Sequence, residues 1–332
     1  HSPAHCDVKT VLSTRTWQLL HLLADGKFHS GVALAAHLNV SRATVFNALQ
    51  QAEAAGVLVQ RGNGRGYRLC EAWTALEVSV VAAALGAAQT KFKLEILPQA
   101  TSSNALLLQR AAAHAPSGSV LAVELQSAGR GRLGRTWHTG LGNALTFSLL
   151  WRFECGLNAL SGLSLAVGVA IVRALRAAHI DAAQLKWPND VMCAEGKLGG
   201  VLIEAQGDMM GPCAVVIGIG INCSLPLPLA QRIDQAASAL AHLTTTPPSR
   251  NQLLAMLLRE LASVLDEFAA NGLHNLRAEW QDYHAYQNLP ISLSLPDGSV
   301  VTGTALGITE RGELSVQIGT QIRQFNSGEV GT

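Results

Sequence analysis

The sequence predicts a mixed α/β (α+β) chain in three parts: an N-terminal winged helix-turn-helix, a larger central α/β domain and a small C-terminal β barrel. Three observations predict it. Three helical patterns close on a hairpin within the first 70 residues, strands and helices alternate from residue 91, and short strands separated by tight turns fill residues 289–330. At 332 residues the chain exceeds one ordinary domain, and 48% apolar against 14% charged residues excludes a wholly disordered protein. The expected boundaries are 1–70, a helical linker over 71–90, a central domain over 91–284 and a last domain over 285–332.

In the first part, Trp17, Leu20 and Leu23 recur at helical spacing over 14–24, and a short helix follows over 31–38. Asn39 and Val40 make a tight turn, Ser41 caps the next helix, and Gly56 stops it. Val45, Leu49 and Ala52 share one face of that helix, and residues 57–61 and 67–69 read as a hairpin. This order lays the second helix of the pair in a DNA major groove with Ser41, Arg42, Thr44 and Asn47 at its leading end. Arg61 and Arg65 on the wing would meet phosphates. The first 70 residues carry seven basic against three acidic side chains, whereas the rest carries 17 against 20. A basic surplus confined to the head points to nucleic acid there alone. Only one strong cation sits on the recognition helix, so a domain for protein contact or regulation stays open as the alternative.

Six scattered cysteines without a C-x-x-C pair read as reduced thiols and a cytoplasmic location. The apolar stretches near 78–88 and 163–172 fall short of the ~20 residues of a membrane span. The opening residues, HSPAHC, have no apolar core of a signal peptide. No membrane partner is expected.

In the central part, residues 92–97, 120–125, 145–153, 201–204 and 214–219 read as strands, and 104–113, 160–178 and 250–271 as helices. Residues 129–135, GRGRLGR, match the G-x-G-x-x-G fingerprint of dinucleotide-binding folds, with a strand before them and Glu154 about 20 residues on. The geometry fails. Gly140, Gly142 and Asn143 interrupt any helix, and the next strand opens near Leu145, about ten residues on, too soon for a parallel crossover. What remains is Arg130, Arg132 and Arg135 among glycines, a loop suited to phosphate oxygens and to folding over a ligand. Three further clusters follow: KWPND at 186–190, KLGG at 197–200 and GIGIN at 218–222. Each alone is ordinary. Together, with no P-loop anywhere, they indicate a nucleotide site of another kind.

GRGRLGR with Trp137, then KWPND, KLGG and GIGIN, stand in the order and at roughly the spacing of biotin–protein ligases. With the winged helix and the small β domain, the chain resembles the bifunctional type, which also represses biotin-synthesis genes. The resemblance implies a central domain like that of class II aminoacyl-tRNA synthetases and an SH3-like C-terminal barrel. It implies ATP and Mg²⁺, with biotin as substrate. The partners implied are a biotin carboxyl-carrier protein, operator DNA and a homodimer formed once the adenylate is bound. Lys197 would hold the biotin carboxylate and the α-phosphate, and Arg132 and Arg135 would contact phosphates. Gly129, Arg130 and Gly199 would border biotin, while Ser102, Ser103 and Gln126 would bind its ureido group. Trp137 would stack near adenine and Asn222 would bond its edge. Asp190 would orient Lys197 or the acceptor lysine, with a structural acid as the alternative.

The chain departs from the family pattern in places. Thr101-Ser102-Ser103-Asn104 replaces the usual Asp-Ser-Thr-Asn, Leu133 stands where a basic residue is common, and the asparagine after the loop is displaced to Asn143. An arginine that some relatives place after the last strand is not expected here. No Met-Lys-Met tripeptide occurs, so the chain does not read as the biotin acceptor. Alternatives are a lipoate or other acyl–protein ligase, a sensor-repressor without catalysis, and a ligase without operator binding.

Overall fold

The structure, a computed structural model, describes residues 11–331; Cys6, Asp7 and Lys9 lie outside the described residues. Serines open the first three helices. Ser13, Ser30 and Ser41 cap α1 (Thr14–Leu22), α2 (Gly31–Leu38) and α3 (Arg42–Ala54), each accepting a backbone N–H of the first turn. Strands β1 (Val59–Gly62) and β2 (Gly66–Leu69) pair antiparallel as the wing. Tyr67 exchanges two backbone hydrogen bonds with His29, which seats the wing against the start of α2. A Cβ on Gly66 would lie 2.0 Å from the His29 carbonyl, and its φ is +100°, so glycine is required there.

The core of this domain does not stop at residue 70. Leu19, Leu20, Leu34, Val45 and Leu49 pack in one cluster with Trp73, with Leu125 of the central sheet and with Leu141 beyond the Gly-rich loop. The expected helical linker is also corrected. Only α4 (Val78–Leu85) and a 3-10 turn over Gly86–Lys91 are helical. The segment 71–77 is non-helical because side chains of the main body take its backbone groups. Arg250 donates to the Thr74 carbonyl, Asn251 bonds Ala75 and Glu77, and Glu124 accepts from the Leu76 N–H at 2.5 Å. Glu124 also accepts from Trp73 Nε1 and pairs with Arg250 at 2.7 Å, both side chains nearly out of water. Such a pair is tolerated because every partner is hydrogen-bonded.

The central sheet comprises β3 (Lys93–Ala100), β4 (Ser119–Gln126), β5 (Ala144–Phe153), β6 (Gln184–Lys186), β7 (Asp190–Cys193), β8 (Gly196–Gly207) and β9 (Cys213–Asn222). Their spatial order is β3-β4-β5-β9-β8-β7-β6. Only β3 and β4 run parallel, joined through α5 (Ser103–Ala112); the other neighbours are antiparallel. The Gly-rich loop thus feeds an antiparallel strand, so no dinucleotide crossover exists. One face of the sheet is sealed by α6 (Leu163–Ala177) and α9 (Arg250–Asn271), with Phe147, Ile217, Ile219 and Ile221 beneath them. On the other face α5 packs on Leu150, Ala214 and Val216, and its first turn covers Ser148 and Gly218. Beyond that turn the same face lines a cavity.

Short helices α7 (Leu227–Ala230), α8 (Leu240–Leu243) and α10 (Arg277–Tyr283) lead to the last domain. There β10 (Pro290–Ser294), β11 (Val300–Ile308), β12 (Leu314–Ile318), β13 (Gln321–Phe325) and β14 (Glu329–Gly331) form an antiparallel sheet ordered β13-β12-β11-β10-β14. Its inward residues, among them Leu293, Leu314 and Val316, join the central core. No helix among the described residues is long and apolar enough to cross a membrane.

His284 follows α10, is 4% exposed and stacks on Trp280 at 4.5 Å; its Nε2 has no partner among the described residues. Burial pushes its pKa from the ordinary 6.5 down to about 4. The unfolded chain therefore takes up the proton first, and the associated stability is full above pH 6.5 and falls as pH drops toward 4. The loss is about 3 kcal/mol at most. His284→Phe is expected to flatten the stability profile between pH 6.5 and 4 in urea titrations. An unchanged profile would refute this account.

Candidate active site

The open face of the sheet is built by alternation. On β5, β9 and β8 the even positions Thr146, Gly218, Gly220, Gly200 and Leu202 line a cavity, while the odd positions beside them are largely apolar core. GIGIN is therefore a period-two pattern, with isoleucine inward and glycine toward the cavity. The glycines make room for two neighbours. A Cβ on Gly218 would lie 2.3 Å from Asn104 Oδ1, and one on Gly220 2.6 Å from the Trp137 ring. The cavity measures about 610 Å³, within the range of a small-molecule site.

At one end stands the N-terminus of α5. Ser102 caps that helix through Ala105 N–H, and the Ser103 N–H donates to Gln126 Oε1 at 2.8 Å. These are neutral groups. At the other end stand Lys186 and Lys197 with Asp190 between them, at 3.4 and 2.7 Å. In the β7–β8 hairpin Asp190 stands opposite Gly200 and Lys197 opposite Met192, with a register shift between them at Val191/Met192, and the Lys197 ammonium reaches back to Asp190. The KWPND turn is held from behind, with Trp187 Nε1 donating to the Gly312 carbonyl of the last domain at 3.0 Å.

Residues 129–137 fold over the cavity as a narrow hairpin. Gly131 N–H donates to Arg135 and Trp137 N–H to Gly129, around a 3-10 turn at Arg132–Gly134. Leu133 tips that turn at φ 55°, left-handed and 79% exposed. Each arginine reaches a different element. Arg130 pairs with Glu204 of β8 at 2.7 Å, Arg132 donates to Asn189 Oδ1 at 3.1 Å, and Arg135 grips Glu329 of β14 through two bonds of 2.7 and 2.5 Å.

The structure thus brings Ser102, Ser103, Gln126, Arg130, Arg132, Arg135, Trp137, Asp190 and Lys197 to one cavity wall. Gly129, Gly199 and Asn222 stand behind it. Gly129 packs on the Trp137 carbonyl and Gly199 on that of Gly220. Asn222 turns its amide to the Lys197 and Ser238 carbonyls, at 3.4 and 3.1 Å, and so steadies the strand that carries Lys197. The displaced Asn143 is buried and bonds Glu71 and Ser224. Sequence reasoning missed Thr146, Leu202, Asp234 and Glu329 in the wall. Strand parity would have found the first two; Asp234 and Glu329 carry no local signal.

In the N-terminal domain Ser41 and Thr44 bond each other in the cap of α3, while Arg42, Asn47 and Arg65 are exposed. Arg61 is already engaged, paired with Glu53 at 2.6 Å and lying over the Phe46 ring.

Residues 96–222 match the Biotin/lipoate A/B protein ligase family, residues 15–68 an HTH domain, and residues 290–330 the Biotin protein ligase C terminal domain. The bifunctional ligase/repressor BirA of Escherichia coli is 33% identical over 94% of this chain and 95% of its own. The chain belongs to the biotin–protein ligase family. The biotin–[acetyl-CoA-carboxylase] ligase of Mycobacterium tuberculosis is 33% identical over 74% of this chain and 91% of that protein. Among solved structures, the Aquifex aeolicus biotin protein ligase in complex with biotin and ATP superposes with a TM-score of 0.61 at 27% identity. It covers 72% of this chain and 97% of its own.

The hydrogen bonds from Arg135 hold the Glu329 carboxyl below the ordinary carboxylate range, against the opposing effect of burial. The latch is therefore present at neutral pH and is lost only as pH falls through that depressed value. Glu329→Ala is expected to raise amide hydrogen exchange across residues 131–136 several-fold at pH 7 and leave β5 and β9 protected. Unchanged exchange in the loop would remove the latch from this account.

Proposed function

We propose that the protein joins biotin to ATP as biotinyl-5′-adenylate, transfers biotin to a lysine of a carboxylase carrier domain, and binds operator DNA through its N-terminal domain. The observation that carries this reading is the division of one cavity into two ends. Neutral hydrogen-bonding groups (Ser102, Ser103, Gln126) occupy one, and Lys186, Lys197, Arg132 and Arg135 the other. A ligand with a neutral ring head and a carboxylate tail that must meet a triphosphate fits that division.

In the first step the biotin carboxylate oxygen attacks the α-phosphorus and the bond to pyrophosphate breaks. Two anions must meet; Lys197 would neutralise both, with Asp190, 2.7 Å from its ammonium, orienting it. Arg132 and Arg135 would contact the phosphates, and Trp137 would face the adenine. In the second step the acceptor amine attacks the acyl carbon, the bond to AMP breaks, and the amine proton leaves. Carboxylate becomes acylating only because AMP, unlike oxide, is a good leaving group.

Among the described residues no cluster of three His, Cys, Asp or Glu could hold a metal. Asp190 and Glu329 are held by lysines and Arg135. The donor set fits a magnesium ion carried on the triphosphate with its waters, Asp234 being the wall carboxylate that would hold it. When bound, such an ion neutralises phosphate charge. A homodimer formed on the closed, adenylate-bound loop would couple catalysis to repression.

ATP–pyrophosphate exchange with biotin, lipoate and octanoate tests the assignment; exchange with lipoate but not biotin would sink it. Arg132→Gly is expected to keep the fold and release the adenylate faster in a single-turnover assay, and unchanged retention would contradict the loop's role. Biotin with ATP is expected to strengthen binding to an operator fragment upstream of biotin-synthesis genes in a mobility-shift titration. No shift at micromolar protein would leave a ligase without operator binding.

A further inference from the structure

We infer that Phe46, an exposed aromatic on the recognition helix, determines DNA sequence preference by packing on the C5-methyl group of a thymine, beside an adenine read by Asn47. The inference rests on the DNA-binding reading of the N-terminal domain. It names which base pairs that domain takes.

Helix α3 divides cleanly into two faces. Val45, Ala48, Leu49 and Ala52 are buried in the domain core, whereas Arg42, Ala43, Phe46, Asn47 and Gln50 are exposed. The exposed positions recur at helical spacing, so they form one stripe along the helix. Phe46 belongs to that stripe and is 37% exposed. It does not swing freely there. The Arg61 guanidinium of β1 lies over its ring, 5.0 Å from the centroid. Glu53, about two turns further along α3, pairs with Arg61 at 2.6 Å and holds that cation in place. The helix and the wing thus brace the ring between them. Glu53 is the one acid of α3, and with its charge answered by Arg61 the stripe turns no unpaired carboxylate toward phosphates.

The major groove presents hydrogen-bonding groups at almost every base edge, and an aromatic ring set against one of them strips its water without replacing the bond. The thymine methyl is the apolar group that stands out from those edges, and it is what a ring can cover at a gain. Ala43, one turn before Phe46, continues the apolar strip. Asn47, next in the chain and exposed on the same stripe, carries a donor and an acceptor that match adenine N6 and N7. Both residues therefore read A·T pairs. Exposed Arg42 at the head of α3 and Arg65 in the wing turn supply the cations that favour a polyanion over a protein partner for this surface.

The test uses the full chain with biotin and ATP. Duplexes that it binds are selected from a random-sequence pool, and the recovered site is rebuilt with each thymine in turn replaced by uracil. That exchange removes the methyl group and keeps the base pair. In the native protein one or two uracils per half-site should each weaken binding about fourfold, the worth of one buried methyl group. In Phe46→Ala the thymine and uracil duplexes should bind equally at those positions, with the dependence of affinity on salt retained. A misfolded domain would lose that salt dependence as well. A native protein indifferent to uracil at every position overturns the inference, and this measurement needs no variant. So does a uracil penalty that survives in Phe46→Ala, and so does unaltered DNA affinity in that variant, which would give the ring to a protein contact. Recovery of no preferred sequence would instead defeat the operator-binding reading itself, and this inference with it.

Discussion

The floor of the cavity depends on β9 carrying Gly218 and Gly220 on one face and Ile217, Ile219 and Ile221 on the other. The inward face must be apolar because α6 and α9 seal it. The outward face must be bare because Asn104 and Trp137 approach the backbone more closely than any Cβ would allow. A substitution at Gly218 or Gly220 would thus act on the ligand through the residues that fill the vacated space. The same alternation places Ser148 beneath the start of α5, where its hydroxyl lies 2.7 Å from Ser103 Oγ and 2.6 Å from Asn104 Oδ1.

The three domains meet around that cavity and do not merely follow one another. Trp73, Leu125 and Leu141 extend the N-terminal core onto β4 and onto the segment beyond the Gly-rich loop. Glu124, two residues before Gln126, receives hydrogen bonds from Trp73, Leu76 and Arg250. From the other side Glu329 grips Arg135 and the Gly312 carbonyl receives Trp187. The loop of residues 129–135 therefore spans elements that are far apart in sequence. Its three arginines act as separate ties to β8, to the KWPND turn and to β14, and any ligand that draws an arginine away alters one of those ties.

The winged helix was legible because capping serines, apolar spacing and turn glycines are local signals. Helix α9 was legible to the residue, since its apolar stripe runs uninterrupted from the Ser249 cap to Gly272. The linker was misread for the opposite reason. An alanine-rich, apolar stretch favours helix, but residues 74–77 give their backbone groups to Glu124, Arg250 and Asn251, and no local propensity competes with buried side-chain partners. Strand β8 proved longer than expected at both ends because ladder pairing with β7 and β9 carries it through Lys197 and the glycines.

The sequence by itself determined the kinds of chemistry present: arginines among glycines, a lysine beside an aspartate, paired serines at a helix start. Those are covalent facts, and their order carried the family resemblance. Only the tertiary structure decided which atoms meet. It set Asn222 behind the wall, brought Glu329 into it from the far end of the chain, and gave Asp190 two lysines to hold. Contacts between residues as distant as Arg135 and Glu329 depend on how packed elements close on one another, and no sequence window records that.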